Sequence, residues 1–412
     1  MDNLLEQSET IISLTSTNYI RGLMKAIEWD YRLIAIRGAR GIGKTTLIRQ
    51  HLKQTGALAN EALYVSLDDF YFTEHGLFEL AKAFVKKGGR RLYVDEVHKY
   101  QFGNWAKEIK NIYDFLPTLQ VVFTGSSILR ILNEQADLSR RALIYEMQGL
   151  SFREYLELTL GKKLPVFELS NLLSNHTVLA KQVINEHQIK PYAHLQEYLT
   201  YGYYPFFLES KKAYLSRVRE MLKLVIEIDL NYLPEYSITD HHKINRLLYA
   251  ITTSIPFKPN ISKLSGRIGL NRNRLTQYIF LLERCRLLNL LHSDRSGITT
   301  LQKPDKIYLE NTNIMYALAA KNVQRGAIRE TFVLNHLRYV HRTETPFPNQ
   351  VYYPSVGDFL VDNIENRFTL EVGGKGKTNK QIKDVDNAYI VADDIEFGVH
   401  NKVPLWLFGF LY

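Results

Sequence analysis

The stretch LIAIRGARGIGKTTLIRQ, residues 33 to 50, restricts the fold more than any other part of the chain. An apolar run, Leu33 to Ile36, stops at three glycines within six residues and gives way to Lys44, Thr45, Thr46 and a helix-like pattern. Glycines at such a turn let successive backbone N–H groups converge on an anion without Cβ obstruction, and the following helix directs its positive end at the same spot. The spacing Gly38-x4-Gly43-Lys44-Thr45 is that of a P-loop. The expected nucleotide contacts are Gly38, Ala39, Arg40, Gly41, Ile42, Gly43, Lys44, Thr45 and Thr46. Lys44 can bridge the β- and γ-phosphates and the Thr45 hydroxyl can ligate Mg2+, so ATP and Mg2+ are the expected cofactors.

A P-loop needs a parallel sheet behind it, and residues 30 to 150 supply the pattern. Apolar runs at Leu33–Ile36, Ala62–Leu67, Arg91–Asp95, Gln120–Thr124 and Ala142–Met147 alternate with helical spacing around Lys44–Lys53, Leu77–Lys86, Trp105–Phe115 and Ile128–Asn133. Strands alternating with crossover helices make a parallel α/β sheet whose ligands sit at the strands' C-terminal ends.

Hydrolysis asks for more than a cradle. In RRLYVDEVHK an apolar strand ends in Asp95 and Glu96. Asp95 is the expected holder of Mg2+, directly or through water, and Glu96 is positioned to polarise water against the γ-phosphate. In LQVVFTGSS, Thr124, Ser126 and Ser127 offer polar groups at a strand end; Ser126 is read as a γ-phosphate sensor, a cap for the helix starting at Ile128, or both. Arg140 and Arg141 can bring a cation to the transition state, in cis or to a neighbouring subunit, or form an exposed pair.

Bulk properties fit a globular chain of several domains. Of 412 residues, 45% are hydrophobic and 23% charged, and no apolar segment approaches the ~18 residues of a membrane span. Asp2, Glu6 and Glu9 stand where a secretory signal would be basic and then apolar, so the cytoplasm is the expected location. The single cysteine, Cys285, excludes an internal disulfide framework and reads as a buried small hydrophobe among leucines. A net charge of +9 fits a polyanionic partner. No metal-ligating spacing stands out among the 12 histidines.

Four domains are expected: residues 1–150, 151–250, 251–320 and 321–412. After Ser151, segments such as SFREYLEL and AYLSRVREMLKLVIEIDL read as an all-helical module punctuated by Pro205 and Pro234. From Asn260, two short helices precede the extended segments LNLLHSD and DKIYLEN, the order of a winged helix. Asn271 can cap its second helix, whose open face carries Arg272 and Arg274. Those arginines either contact DNA phosphates or guanine edges, or are solvated on a protein-binding module. Beyond Gly326 come the helix TFVLNHLRYV, strands in VGDFLVDN, RFTLEV and AYIVAD, and the apolar end VPLWLFGFLY.

The segments GARGIGKTT, LYVDEVHK, NWAKEIKNIYD, VVFTGSS and LSFREYLEL closely resemble the prokaryotic AAA-type ATPases, P-loop enzymes joined to a winged helix and a C-terminal domain with a nuclease-like fold. The resemblance covers nearly the whole chain and is most specific between residues 30 and 160. It implies an AAA+ sheet of order 5-1-4-3-2 and the roles given above to Lys44, Thr45, Asp95, Glu96 and Ser126. Members usually carry Gly-Gly-x-Pro in the helical region; here Gly202-Tyr203-Tyr204-Pro205 lacks one glycine.

The segment SVGDFLVDNIENRFTLEVGGKGK resembles the core of the PD-(D/E)xK nuclease fold. That resemblance implies a second metal site in which Asp358, ending one strand, and Glu371 on the next are joined by Glu330 from the preceding helix. The catalytic lysine's position is taken by Gly373, with Lys375 two residues further on. Lys375 and Lys377, with Lys380 and Lys383, either hold a nucleic-acid backbone or form a solvated loop. The sequence thus points to a Mg2+-dependent ATPase of AAA+ type whose hydrolysis rearranges DNA- or protein-binding modules. A nucleotide-gated DNA-binding protein with incidental turnover and an ATP-licensed nuclease are the competing readings.

Overall fold

The structure is a computed structural model that describes residues 1–58, 60–125, 138, 140–232, 241–253, 258–294, 303–319, 323–339, 350–363 and 366–412. The chain forms two compact units, Met1–Gly149 and Leu150–Tyr412.

In the first unit five strands lie in the order β2-β3-β4-β1-β5, every pairing parallel. They are β1 (Leu33–Arg37), β2 (Ala62–Ser66), β3 (Arg91–Asp95), β4 (Gln120–Gly125) and β5 (Leu143–Glu146). Leu33 to Ile36 of β1 are all buried, because a parallel strand inside a sheet is covered on both faces. The helices Lys44–Thr55, Leu77–Lys86 and Trp105–Phe115 fall where the spacing predicts them. The third begins at Asn104, whose side chain accepts from the Lys107 amide at 3.0 Å. Phe84, Trp105 and Ile109 of these helices pack with Leu33, Leu63, Val94 and Phe123 of the strands in one apolar core. The helix expected at Ile128–Asn133, with Ser126 and Ser127, lies outside the described residues.

The acidic N-terminal segment folds as a helix, Asp2–Leu14, which the sequence reading did not anticipate. Ser8 on it accepts the Tyr64 amide of edge strand β2 at 3.0 Å, satisfying a donor that the edge would otherwise leave open.

The second unit begins with helices Phe152–Leu160, Leu169–Lys181, Pro191–Tyr201 and Tyr214–Glu227. Ser151 and Glu154 form a reciprocal capping box that starts the first of them, and Gly161 in the left-handed conformation ends it. Helices His241–Thr253, Ile261–Ile268 and Arg272–Arg284 follow, then an antiparallel pair, β6 (Leu288–Leu291) and β7 (Lys306–Leu309). Cys285 is buried, as its leucine-rich surroundings predict. Helices Thr312–Ala319 and Arg325–Arg338 lead into a separate mixed sheet, β12-β11-β10-β9-β8. Its strands are β8 (Gln350–Tyr352), β9 (Phe359–Asp362), β10 (Arg367–Gly373), β11 (Ala388–Ala392) and β12 (Lys402–Pro404).

The apolar end of the chain is buried among the early helices of this unit. Ser151 Oγ donates to the Tyr412 carbonyl at 2.8 Å, and the Phe410 ring stacks on Phe167 with centroids 5.7 Å apart. Segments distant in sequence therefore share one core. Among the described residues no helix is long and apolar enough to cross a membrane.

Candidate functional site

The loop between β1 and the helix Lys44–Thr55 wraps its lysine. Lys44 Nζ donates to the carbonyls of Gly38 and Ala39, at 2.9 and 2.7 Å. Gly41 and Gly43 have φ of 77° and 98°, the left-handed region that side chains with a Cβ disfavour. Gly38 is fixed by space: a Cβ there would lie 2.4 Å from the Met147 carbonyl oxygen. Arg21 braces the loop from behind, donating to the carbonyls of Ile42, Gln148 and Gly149 at 3.1, 2.9 and 2.8 Å.

Asp95, at the end of β3, is 2% exposed and held by three donors. Its Oδ1 accepts from the Thr124 hydroxyl and, at 3.0 Å, from the Glu96 amide; its Oδ2 accepts from the Tyr64 hydroxyl at 2.9 Å. Tyr64 OH in turn accepts from Arg49 at 2.6 Å, and burial beside Asp95 pushes the phenol pKa up, keeping it a donor. An ionised carboxylate has about four acceptor positions, so Oδ2 keeps one to offer. Carboxylate and hydroxyl oxygens such as those of Asp95 and Thr45 are hard donors, the chemistry that suits Mg2+.

Glu96 follows with φ 54° and ψ 40°, a left-handed backbone that costs a side-chain-bearing residue about 1 kcal/mol or more. Its Oε2 lies 3.2 Å from His98 Nε2, and Arg40 of the loop lies 3.3 Å from the same nitrogen. That one nitrogen either donates to Glu96 or accepts from Arg40, and in both cases His98 sits between the phosphate loop and the end of β3. Arg21, Tyr64 and His98 were not singled out in the sequence. His98 stands two residues after Glu96, but no local signal marks Arg21 or Tyr64, whose partners are distant in the chain.

The arginine pair is a correction. Arg140 is exposed, and Arg141 makes a bidentate pair with Asp114, Nε to Oδ1 at 3.0 Å and Nη2 to Oδ2 at 3.2 Å. Both precede β5, whereas the phosphate loop follows the other end of the parallel strand β1. The length of β5, roughly 15 Å, separates them from the cradle, so a role toward their own nucleotide is removed. Ser126 lies outside the described residues.

The second metal site is corrected too. Asp358 precedes β9 rather than ending a strand, and its amide donates to the Leu370 carbonyl at 2.9 Å. Glu330 and Asp358 do converge, but on Lys306 of β7, whose ammonium lies 3.3 and 3.2 Å from them. Tyr308 OH adds a 2.6 Å hydrogen bond to Glu330. Glu371 is paired with Lys377, while Lys375 is exposed. Among the described residues no three acidic, histidine or cysteine side chains are grouped to hold a metal.

The charges in this cluster shift in instructive directions. Burial alone would lower the Lys306 pKa, but Glu330 and Asp358 outweigh it and the ammonium titrates above the usual lysine range. Burial raises the Glu330 pKa, and the like charge of Asp358 raises it further, against Lys306 and Tyr308. The lysine has two opposite charges beside it; each carboxylate has only a share of one.

Arg272 opens the helix Arg272–Arg284 and is exposed, whereas Arg274 folds along its own helix to donate to Tyr278 OH at 2.9 Å.

A parallel α/β sheet carrying a glycine-gated lysine loop beside a strand-end Asp-Glu pair defines a P-loop ATPase domain. The sequence model of a family described as an AAA domain matches residues 30–156, and one described as a domain of unknown function matches residues 192–325. The uncharacterized protein MJ1637 of Methanocaldococcus jannaschii is 30% identical over 383 residues, spanning 87% of this chain and 79% of that protein. The chain belongs to that protein's family, and its first unit is an AAA-type P-loop ATPase domain.

Solved structures were matched as well. The Walker-type ATPase PABY2304 of Pyrococcus abyssi is 12% identical, with a TM-score of 0.39 over 72% of this chain and 93% of that one. A structure of RuvB from Thermotoga maritima is 15% identical, with a TM-score of 0.29 over 70% and 89%.

Proposed function

We propose that the protein hydrolyses ATP with Mg2+ in its first unit and uses the turnover to rearrange DNA- or protein-binding modules in its second. The observation that supports this reading is the pair of contacts at His98, 3.3 Å from Arg40 of the phosphate loop and 3.2 Å from Glu96. Lys44 exchanges its loop carbonyls for phosphate oxygens, and the glycine-gated amides hold the rest of the charge. Thr45 and Asp95 would hold Mg2+, which would supply charge neutralisation to the phosphates. Asp95 keeps its orientation through Thr124 and Tyr64, and Glu96 takes the proton of the attacking water. Ser126 senses the γ-phosphate. Arg140 or Arg141 serves a neighbouring subunit's nucleotide. In this reading the helix pair and β6–β7 act as a winged helix, and the C-terminal sheet is a nuclease-like fold whose carboxylates are closed by lysines.

The contact between Glu96 and His98 also supports the second reading, a nucleotide-gated binding protein, since a carboxylate engaged by a histidine is not free to take a proton. Phosphate release from the purified full chain decides. Under the hydrolysis reading Lys44→Ala abolishes turnover, and Glu96→Gln lowers it by about 10²- to 10⁴-fold while Mg·ATP still binds. Negligible release by wild type and Glu96→Gln alike, with and without DNA, would refute hydrolysis.

A further inference from the structure

The second unit carries a basic cavity against the helix pair proposed above as a winged helix, and its role as a ligand seat rests on that pair being a binding module, not on ATP turnover. It measures about 760 Å3 and is walled by the start of the helix Ile261–Ile268, the first turns of Arg272–Arg284, the approach to β7, and Tyr353 just after β8. Three cations line it, Lys258, Arg272 and Lys303, all exposed at its rim. None of the three is in an ion pair among the described residues; Lys258 lies 5.2 Å over the Tyr353 ring. The one carboxylate in the wall, Asp305, is already used: its Oδ2 accepts from the Ser293 amide at 2.8 Å. The next residue, Lys306, is turned to Glu330 and Asp358.

The cavity therefore has an excess of positive charge, supplemented by the positive ends of two helices and the hydroxyl of Thr276. Asn260 and Asn271 already cap an amide of each helix, so an incoming anion meets mainly the side-chain cations. A closed small-ligand site is mostly apolar with a few enclosed polar groups; here the charges stand on an open rim, as they do where a phosphate backbone passes through. The volume has a cube root of about 9 Å, room for one or two nucleotides but not for a duplex. The chain's net charge of +9 suits a polyanion that continues beyond the cavity.

We propose that this cavity seats single-stranded nucleic acid, with backbone phosphates held among Lys258, Arg272 and Lys303. Duplex lying across the rim would place its phosphates outside the concavity and bind less tightly. The seat does not depend on ATP hydrolysis.

The test uses the full chain without nucleotide, in wild type and in Lys44→Ala, so that failure of the ATPase reading leaves it intact. Fluorescein-labelled 20-mers of oligodeoxythymidylate and oligouridylate, and a duplex of equal length, are titrated by anisotropy between 50 and 200 mM salt. Single strands should bind more tightly than duplex; a preference for the DNA or the RNA 20-mer names the polymer and either supports the seat. The Arg272→Glu/Lys303→Glu variant should bind at least about tenfold more weakly, with its log–log salt slope smaller by about 1.4, two phosphate contacts' worth. Both positions are exposed, and unchanged thermal unfolding confirms that the variant folds. Binding by the variant within twofold of wild type, tighter binding of duplex, no binding by wild type at 50 mM salt, or full displacement by free ADP would each overturn the proposal.

Discussion

Replacing Lys306 by methionine tests the electrostatics of the C-terminal cluster directly. Lys306 is 3% exposed, and its ammonium lies 3.2 and 3.3 Å from two carboxylates. At an effective dielectric near 20, each contact is worth about 5 kcal/mol before desolvation, and desolvation of the ions offsets much of it. Removing one partner of such a buried set leaves uncompensated charge, with a net cost of about 3–5 kcal/mol. Part of this returns at low pH. Glu330 already has a raised pKa, and without Lys306 it rises further. A raised folded pKa gives stability that is present below the unfolded value, near 4.5, and lost as pH climbs through the folded one. The gap between variant and wild type should therefore widen from pH 5 to pH 8. Urea unfolding can be followed in the second unit alone: of the 3 tryptophans, Trp406 is fully buried there, and Trp29→Phe/Trp105→Phe removes the others. The expected midpoint shift is about 1–2 M at pH 8. Adding Glu330→Gln to Lys306→Met should recover part of the loss. A cost below about 1 kcal/mol, or a double variant less stable than the single, would refute the reasoning.

Two further outcomes follow from other sites. Gly38→Ala drives a Cβ to within 2.4 Å of the Met147 carbonyl and 2.5 Å of Ile42 Cδ1. Overpacking of that kind costs about 1–3 kcal/mol, so calorimetric titration should find Mg·ATP bound at least about tenfold more weakly; unchanged affinity would show the loop is not so constrained. Burial holds the His336 pKa down at about 4, against its bond to the Phe332 carbonyl at 2.8 Å. A histidine with a depressed folded pKa gives stability that is present above the unfolded value of 6.5 and lost as pH falls toward 4, about 3 kcal/mol in all. Trp406-monitored unfolding should show that slope in wild type and lose it in His336→Gln; equal slopes would assign the pH dependence elsewhere.

The chain sequence by itself determined the parallel sheet, its five strands and the phosphate loop. Each rests on short-range rules: apolar runs of strand length, helical spacing between them, and glycines where the backbone must turn left-handed. That Asp95 ends a strand was legible for the same reason. The tertiary structure alone decided which charges meet. Lys306 reaches Glu330 and Asp358 across 24 and 52 residues, and Arg40 reaches His98 across 58. It likewise paired Arg141 with Asp114 and buried the C-terminal residues among helices that begin at Phe152. Local patterns fix what an element is because its hydrogen bonds and its apolar face are built from neighbours in sequence. Which lysine neutralises which carboxylate depends on how those elements pack, and no spacing records that.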